Sequence, residues 1–95
     1  MLEGKLDGKE IQDRKQLHDT LAMELQFPVW YGANLDALYD CLTDIHIETR
    51  LTVLHSDKLR ENLGPYADKL FYVLRRAARE NPRFISAGED SSFYK

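Results

Sequence analysis

Three observations predict an α/β fold, a small three-stranded parallel sheet covered by about four helices. Apolar runs of strand length stand near the start, the middle and the end of the chain. Between them lie stretches whose apolar residues recur with helical period. Each interval is too long for a hairpin and holds two such stretches, so the strands are expected to run parallel through right-handed crossovers. Residues 1–87 are read as a single domain and 88–95 as a flexible tail. That tail carries Gly88-Glu89-Asp90-Ser91-Ser92, with Phe93 and Tyr94 beyond as side chains that could dock.

Leu2 and Leu6, placed about Gly4, predict the first strand, and Asp7-Gly8 is a tight-turn signal before Ile11. A first helix follows with Asp13 as cap. Gln16 stands three residues on, in the pattern of a capping box, and Leu17, Leu21 and Leu25 form an apolar line supported by Ala22. This helix ends before Pro28. His18 lies beside that line with no companion at metal-ligand spacing and reads as an ordinary half-exposed histidine. The second helix is expected from Leu35 with Asn34 as cap, its stripe being Leu35, Leu38, Leu42 and Ile45. A polar connection then leads to Leu51-Thr52-Val53-Leu54, the second strand. A short helix over residues 57–63, capped by Ser56 or Asp57, turns Leu59 and Leu63 inward, and Gly64-Pro65 closes it. The fourth helix runs from Tyr66 to about Asn81 on Leu70, Val73, Leu74 and Ala77. Asn81-Pro82 stops it before Phe84-Ile85, the third strand.

Composition narrows the function. The chain has 95 residues, of which 43% are hydrophobic and 31% charged, and a net charge of −3. That balance describes a globular protein and argues against general nucleic-acid binding, while modestly favouring basic partners. No apolar run approaches the roughly 18 residues of a membrane helix, and the N-terminus lacks an apolar signal region, so a cytoplasmic protein without membrane association is expected. The single cysteine, Cys41, sits between apolar neighbours and reads as a small packed side chain. No phosphate-cradling glycine loop, metal-binding motif or nucleophile elbow is present, so neither an enzyme nor a cofactor or metal is expected. Arg75, Arg76, Arg79 and Arg83 could bind phosphates. They fall at a helix C-terminus, though, where the dipole favours cations, and Glu80 interrupts them.

The informative stretch is Pro28-Val29-Trp30-Tyr31-Gly32-Ala33-Asn34-Leu35-Asp36-Ala37-Leu38-Tyr39-Asp40-Cys41-Leu42-Thr43-Asp44, an aromatic loop running into a helix. Asp36, Asp40 and Asp44 recur at i, i+4 and i+8 on a face of their own. Like charges so spaced cost about 0.2–0.5 kcal/mol per pair, and burying one leucine yields about 1.5–3 kcal/mol, so packing can hold the helix while the carboxylates are displayed. Aromatics mixed with charge at a loop and helix start are typical of binding surfaces. For Trp30, Tyr31 and Tyr39 the alternative is a core role, expected of at least one of them.

This run resembles the barstar family of ribonuclease inhibitors, through Tyr-Gly-x-Asn-Leu-Asp-Ala-Leu-aromatic-Asp-Cys-Leu-Thr, and more weakly over about the first eighty-five residues. The resemblance implies a barstar-like fold and an intracellular inhibitor that blocks the cationic active site of a barnase-type ribonuclease, a basic extracellular-type enzyme. It implies a role for Asp40 in the phosphate-binding centre, for Asp36 beside neighbouring cations and for Trp30 at the enzyme's mouth. Gly32 would permit close backbone approach and Asn34 fix the helix start, with Leu35, Tyr39, Thr43 and Asp44 on the same surface. The chain departs from the family pattern in several places. Trp30 and Tyr39 stand where the family has tyrosine and tryptophan, Val29 where the type member has an acid, and Asp44-Ile45 where it has Gly-Trp. A plausible alignment puts Arg76 where it has a glutamate. These differences leave the identity of the ribonuclease open, and an interaction module with a non-ribonuclease or nucleic-acid partner is the alternative reading.

Overall fold

The computed structural model of the chain describes residues 1–88. In order they form β1 (Leu2–Asp7), a 3-10 turn (Gly8–Glu10), α1 (Arg14–Glu24), α2 (Leu35–Thr43), β2 (Thr49–Leu54), α3 (Ser56–Leu63), α4 (Pro65–Glu80) and β3 (Phe84–Gly88). The sheet has the order β1-β2-β3 with both pairings parallel, so the α/β class and the strand and helix count are those the sequence predicts.

Pairing sets the register that aims side chains at the core. Leu2 stands beside Thr49 and Phe84, Gly4 beside Leu51 and Ser86, and Leu6 beside Val53 and Gly88. Apart from half-buried Leu2 and Gly88, these rows are buried, whereas Glu3, Arg50 and Ile85 on the other face are exposed. Among the described residues the sheet is thus covered on one face only. Against that face pack Leu17 and Leu21 of α1, Leu38 and Leu42 of α2, Leu59 of α3, and Leu70, Phe71 and Leu74 of α4, each 2% exposed or less. Each such residue contributes about 1.5–3 kcal/mol.

The helix ends follow the expected chemistry with three differences. Asp13 accepts from the Gln16 amide, but the Gln16 side chain accepts from Gln12 N at 2.7 Å, one residue earlier than in a closed capping box. The Asp7-Gly8 turn is a short 3-10 segment, with Asp7 accepting from Lys9 N at 3.0 Å. α3 begins at Ser56 and its cap is His55, not Ser56 or Asp57. His55 sits in the left-handed region at φ 53 and makes no side-chain cap bond. Its ring instead meets Asp7 Oδ1 at 2.9 Å, tying the end of β2 to the end of β1. Gly88, expected in the tail, closes β3 beside Val53; the remainder of the expected tail lies outside the described residues. Among the described residues no helix is long and apolar enough to cross a membrane.

One side chain sets where α2 ends. Asn81, buried at the C-terminus of α4, donates through Nδ2 to the carbonyls of Leu42 at 2.9 Å and Ile45 at 3.1 Å. Its Oδ1 accepts from Arg83 N at 3.0 Å. A carbonyl that the helix end leaves orphaned is so satisfied from another element, and α2, α4 and the entry to β3 are held as a unit.

Candidate functional site

The aromatic loop is shaped by a turn in which Tyr31 N donates to Pro28 O at 3.0 Å. Val29 and Trp30 occupy its tip. Val29 is wholly exposed and Trp30 is 78% exposed, together a large apolar surface among the described residues. Tyr31 turns the opposite way and, like Tyr39, packs half-buried against the core. Its hydroxyl meets His18 Nδ1 at 2.6 Å, and its ring stacks at a tilt on Phe27 with centroids 4.9 Å apart. Ala33, not Gly32, takes the left-handed conformation, at φ 52. A Cβ at Gly32 would come 3.3 Å from the Ala37 Cβ, a tight contact that a shift of a few tenths of an ångström would relieve.

His18 corrects the half-exposed reading. It is 2% exposed, and its second nitrogen meets the Tyr66 hydroxyl at 2.8 Å, so one imidazole clasps α1, the aromatic loop and α4. Burial lowers its pKa and raises those of Tyr31 and Tyr66. A neutral ring can donate from one nitrogen and accept at the other, which satisfies both hydroxyls. The sequence held no signal for this, because the two tyrosines come from separate segments.

α2 starts where the sequence places it. Asn34 Oδ1 accepts from Ala37 N at 2.7 Å while its Nδ2 donates to Gly32 O at 3.2 Å, so one side chain caps the helix and secures the loop. Leu38 and Leu42 are fully buried, and Leu35 and Ile45 pack against the core half-buried. The opposite face carries Asp36, Asp40 and Asp44, all exposed. Asp36 is in the first turn, at the favourable end of the dipole, and Asp44 is the C-cap. Asp44 lies 3.9 Å from an equally exposed His46; Asp36 and Asp40 have no ion pair or side-chain hydrogen bond among the described residues.

The expected site residues fall into two concavities. A groove of ≈ 630 Å³ between the loop and α2 is lined by Trp30, Gly32, Asp40, Thr43 and Asp44, with Phe27, Tyr31, Cys41 and Ile45 as its apolar part. Asn34, Leu35 and Asp36 line a second cavity, of ≈ 560 Å³, together with Arg14, Lys69 and Tyr66. Tyr39 belongs to neither and lies half-buried under Arg76, whose guanidinium is 5.2 Å from the ring centroid. The Thr43 hydroxyl is spent on its own helix, donating to Tyr39 O at 2.9 Å. Cys41 is half-buried, and burial, then Asp40 and Asp44, push its thiol up, keeping it protonated and unreactive.

The arginine group does not act as one patch. Arg76 pairs with Glu80 at 3.1 Å and Arg83 donates to His46 O at 2.8 Å, while Arg75 also has a partner. Among the described residues no group of three His, Cys, Asp or Glu side chains could hold a metal ion.

The chain matches the family described as Barstar (barnase inhibitor) over residues 1–93. A protein of Bacillus subtilis (strain 168) named "Putative ribonuclease inhibitor YrdF" is 38% identical over 76 residues, which span 79% of this chain and 84% of that protein. With the three-stranded parallel sheet and the acidic helix both in place, the chain belongs to the barstar family, whose members are inhibitors and not enzymes.

Proposed function

We propose that this chain inhibits a barnase-type ribonuclease by pressing α2 and the aromatic loop into the enzyme's cationic active site. The observation that carries the reading is the pairing of Asp40, exposed and without a cation partner among the described residues, with the exposed Trp30 across the same groove. A ribonuclease must bind a polyanion, so its site is cationic, and carboxylates fixed on a packed helix can stand in for the substrate's phosphates. Trp30 then buries its ring at the edge of that site. The enzyme is of the basic, extracellular type, and the inhibitor acts in the cytoplasm of the producing bacterium as an immunity protein against its own ribonuclease.

Two substitutions test the roles. Asp40→Ala is expected to cost about 2–5 kcal/mol of binding, because it leaves the partner's cations desolvated and unpaired. Asp44→Ala, at the exposed helix end, is expected to cost under about 1 kcal/mol. Both variants keep the fold. The measurement is a titration of the purified chain against a barnase-type ribonuclease at low and high salt, following RNA cleavage. Equal losses for the two variants would refute the assignment, and binding that left cleavage untouched would favour an interaction module over an inhibitor.

A further inference from the structure

Cations border α2 on the side where it meets α1 and α4. Lys69 and Arg76 stand about two turns apart on α4 and therefore share a face. Arg76 lies over the Tyr39 ring, and Arg14 of α1 lies over the Tyr66 ring at 4.1 Å from its centroid. The ring contacts hold both guanidinium groups near α2, and that of Arg14 keeps its N–H groups available. Arg76 is shared with Glu80, but Arg14 and Lys69 have no carboxylate partner among the described residues. They line the ≈ 560 Å³ cavity with Asp36, which pairs with neither of them; the remaining cation there, Lys15, is held by Asp19 at 2.7 Å.

The two sides of the helix therefore differ in sign. Asp40 and Asp44 open on the aromatic groove, whereas the cavity around Asp36 has more unpaired positive than negative charge. A uniformly basic partner would set its own cations against Arg14, Lys69 and Arg76 as it delivered others to Asp40, and like-charge juxtaposition is how an interface rejects a wrong partner.

We propose that the ribonuclease this chain inhibits carries an acidic side chain beside its cationic centre, received by Arg14 and Lys69 in the cavity between α1, α2 and α4, with Arg76 as a third contact. The proposal rests on the inhibitor reading above and specifies the partner's charge pattern. Ordinary solvated cations would sit on a convex surface, free to move. Here Arg14 and Lys69 line a concavity, with Arg14 over the Tyr66 ring, while Arg76 lies outside it over Tyr39.

The test uses the full chain with Lys69→Glu and Arg76→Glu, singly and together, against two probes. One is a barnase-type ribonuclease with a basic rim around its active site, and the other is the same enzyme with glutamate in place of a rim arginine or lysine. Association is followed by stopped flow at low and high salt. The double variant is expected to associate about tenfold faster with the all-basic enzyme at low salt, an advantage that salt removes. The unsubstituted chain should prefer the glutamate-bearing enzyme, and the double variant should invert that preference. Lys69→Gln, which cannot repel, should give an intermediate effect and guards against misfolding. If Lys69 and Arg76 alter neither association while Asp40→Ala still weakens inhibition far more than Asp44→Ala, the proposal is overturned and the inhibitor reading stands. If Asp40→Ala also weakens inhibition no more than Asp44→Ala, both fall together.

Discussion

At the scale of single residues, His18 couples the site to pH. Its ordinary pKa near 6.5 is lowered in the folded chain by burial between Tyr31 and Tyr66. Above that value the ring is neutral in both states and the coupling is silent. As the pH falls through it, the unfolded chain takes up a proton that the folded chain refuses until its own lower pKa is reached. Stability therefore drops across that window and levels off beneath it. The melting midpoint should fall between about pH 7.5 and about pH 5.5, and His18→Gln, which can bond both hydroxyls without titrating, should flatten the slope. An unchanged slope in that variant would show that the imidazole does not carry it. Asp7 cannot mimic the effect. The Lys9 amide and His55 hold its carboxyl below its ordinary 3.8, so its contribution is lost only at lower pH.

At the scale of elements, the junction of β1 with α3 has the least room. A Cβ on Gly8 would stand 2.1 Å from the His55 carbonyl oxygen and 3.0 Å from Leu59 N, both backbone atoms that cannot swing away. Gly8→Ala is thus expected to destabilise the chain by more than about 3 kcal/mol, measured by urea unfolding. A loss within about 0.5 kcal/mol would mean that α3 can slide outward. Sequence reading found Asp7-Gly8 as a turn but not this close approach, because the crowding atoms belong to a distant helix. The same division runs through the rest of the fold. Apolar periodicity located all three strands and four helices, since each buries one face and that face repeats locally. It missed the left-handed His55 cap, the clasp around His18 and the separation of Asp36 from Asp40 into different concavities. Those depend on which elements meet, which no local period encodes. The acidic row itself was legible: Leu38 and Leu42, now fully buried, outweigh the repulsion between Asp36 and Asp40 by several-fold.

At the scale of the whole molecule, the fold holds α2 still. With a net charge of only −3, the attraction that α2 would exert on the cationic site of the proposed partner is local, and it depends on carboxylates that keep their places. α2 is nine residues long, too short to persist by its own helical propensity. Its N-terminus is secured by Asn34, and its C-terminus by Asn81 from the far end of α4. Asn81→Ala would leave the carbonyls of Leu42 and Ile45 without that donor at the cost of about 1–3 kcal/mol for a buried acceptor, although Asn81 itself does not line the aromatic groove. The variant should remain folded at moderate temperature yet inhibit a barnase-type ribonuclease about tenfold more weakly, because part of the binding energy must first re-order the end of α2. Amide exchange at Leu42 to Ile45 should quicken in parallel. Weaker inhibition without faster exchange would place the defect elsewhere. Full inhibition despite faster exchange would mean that packing of Leu38 and Leu42 alone preorganises the carboxylates, and that the tie to α4 serves stability without serving recognition.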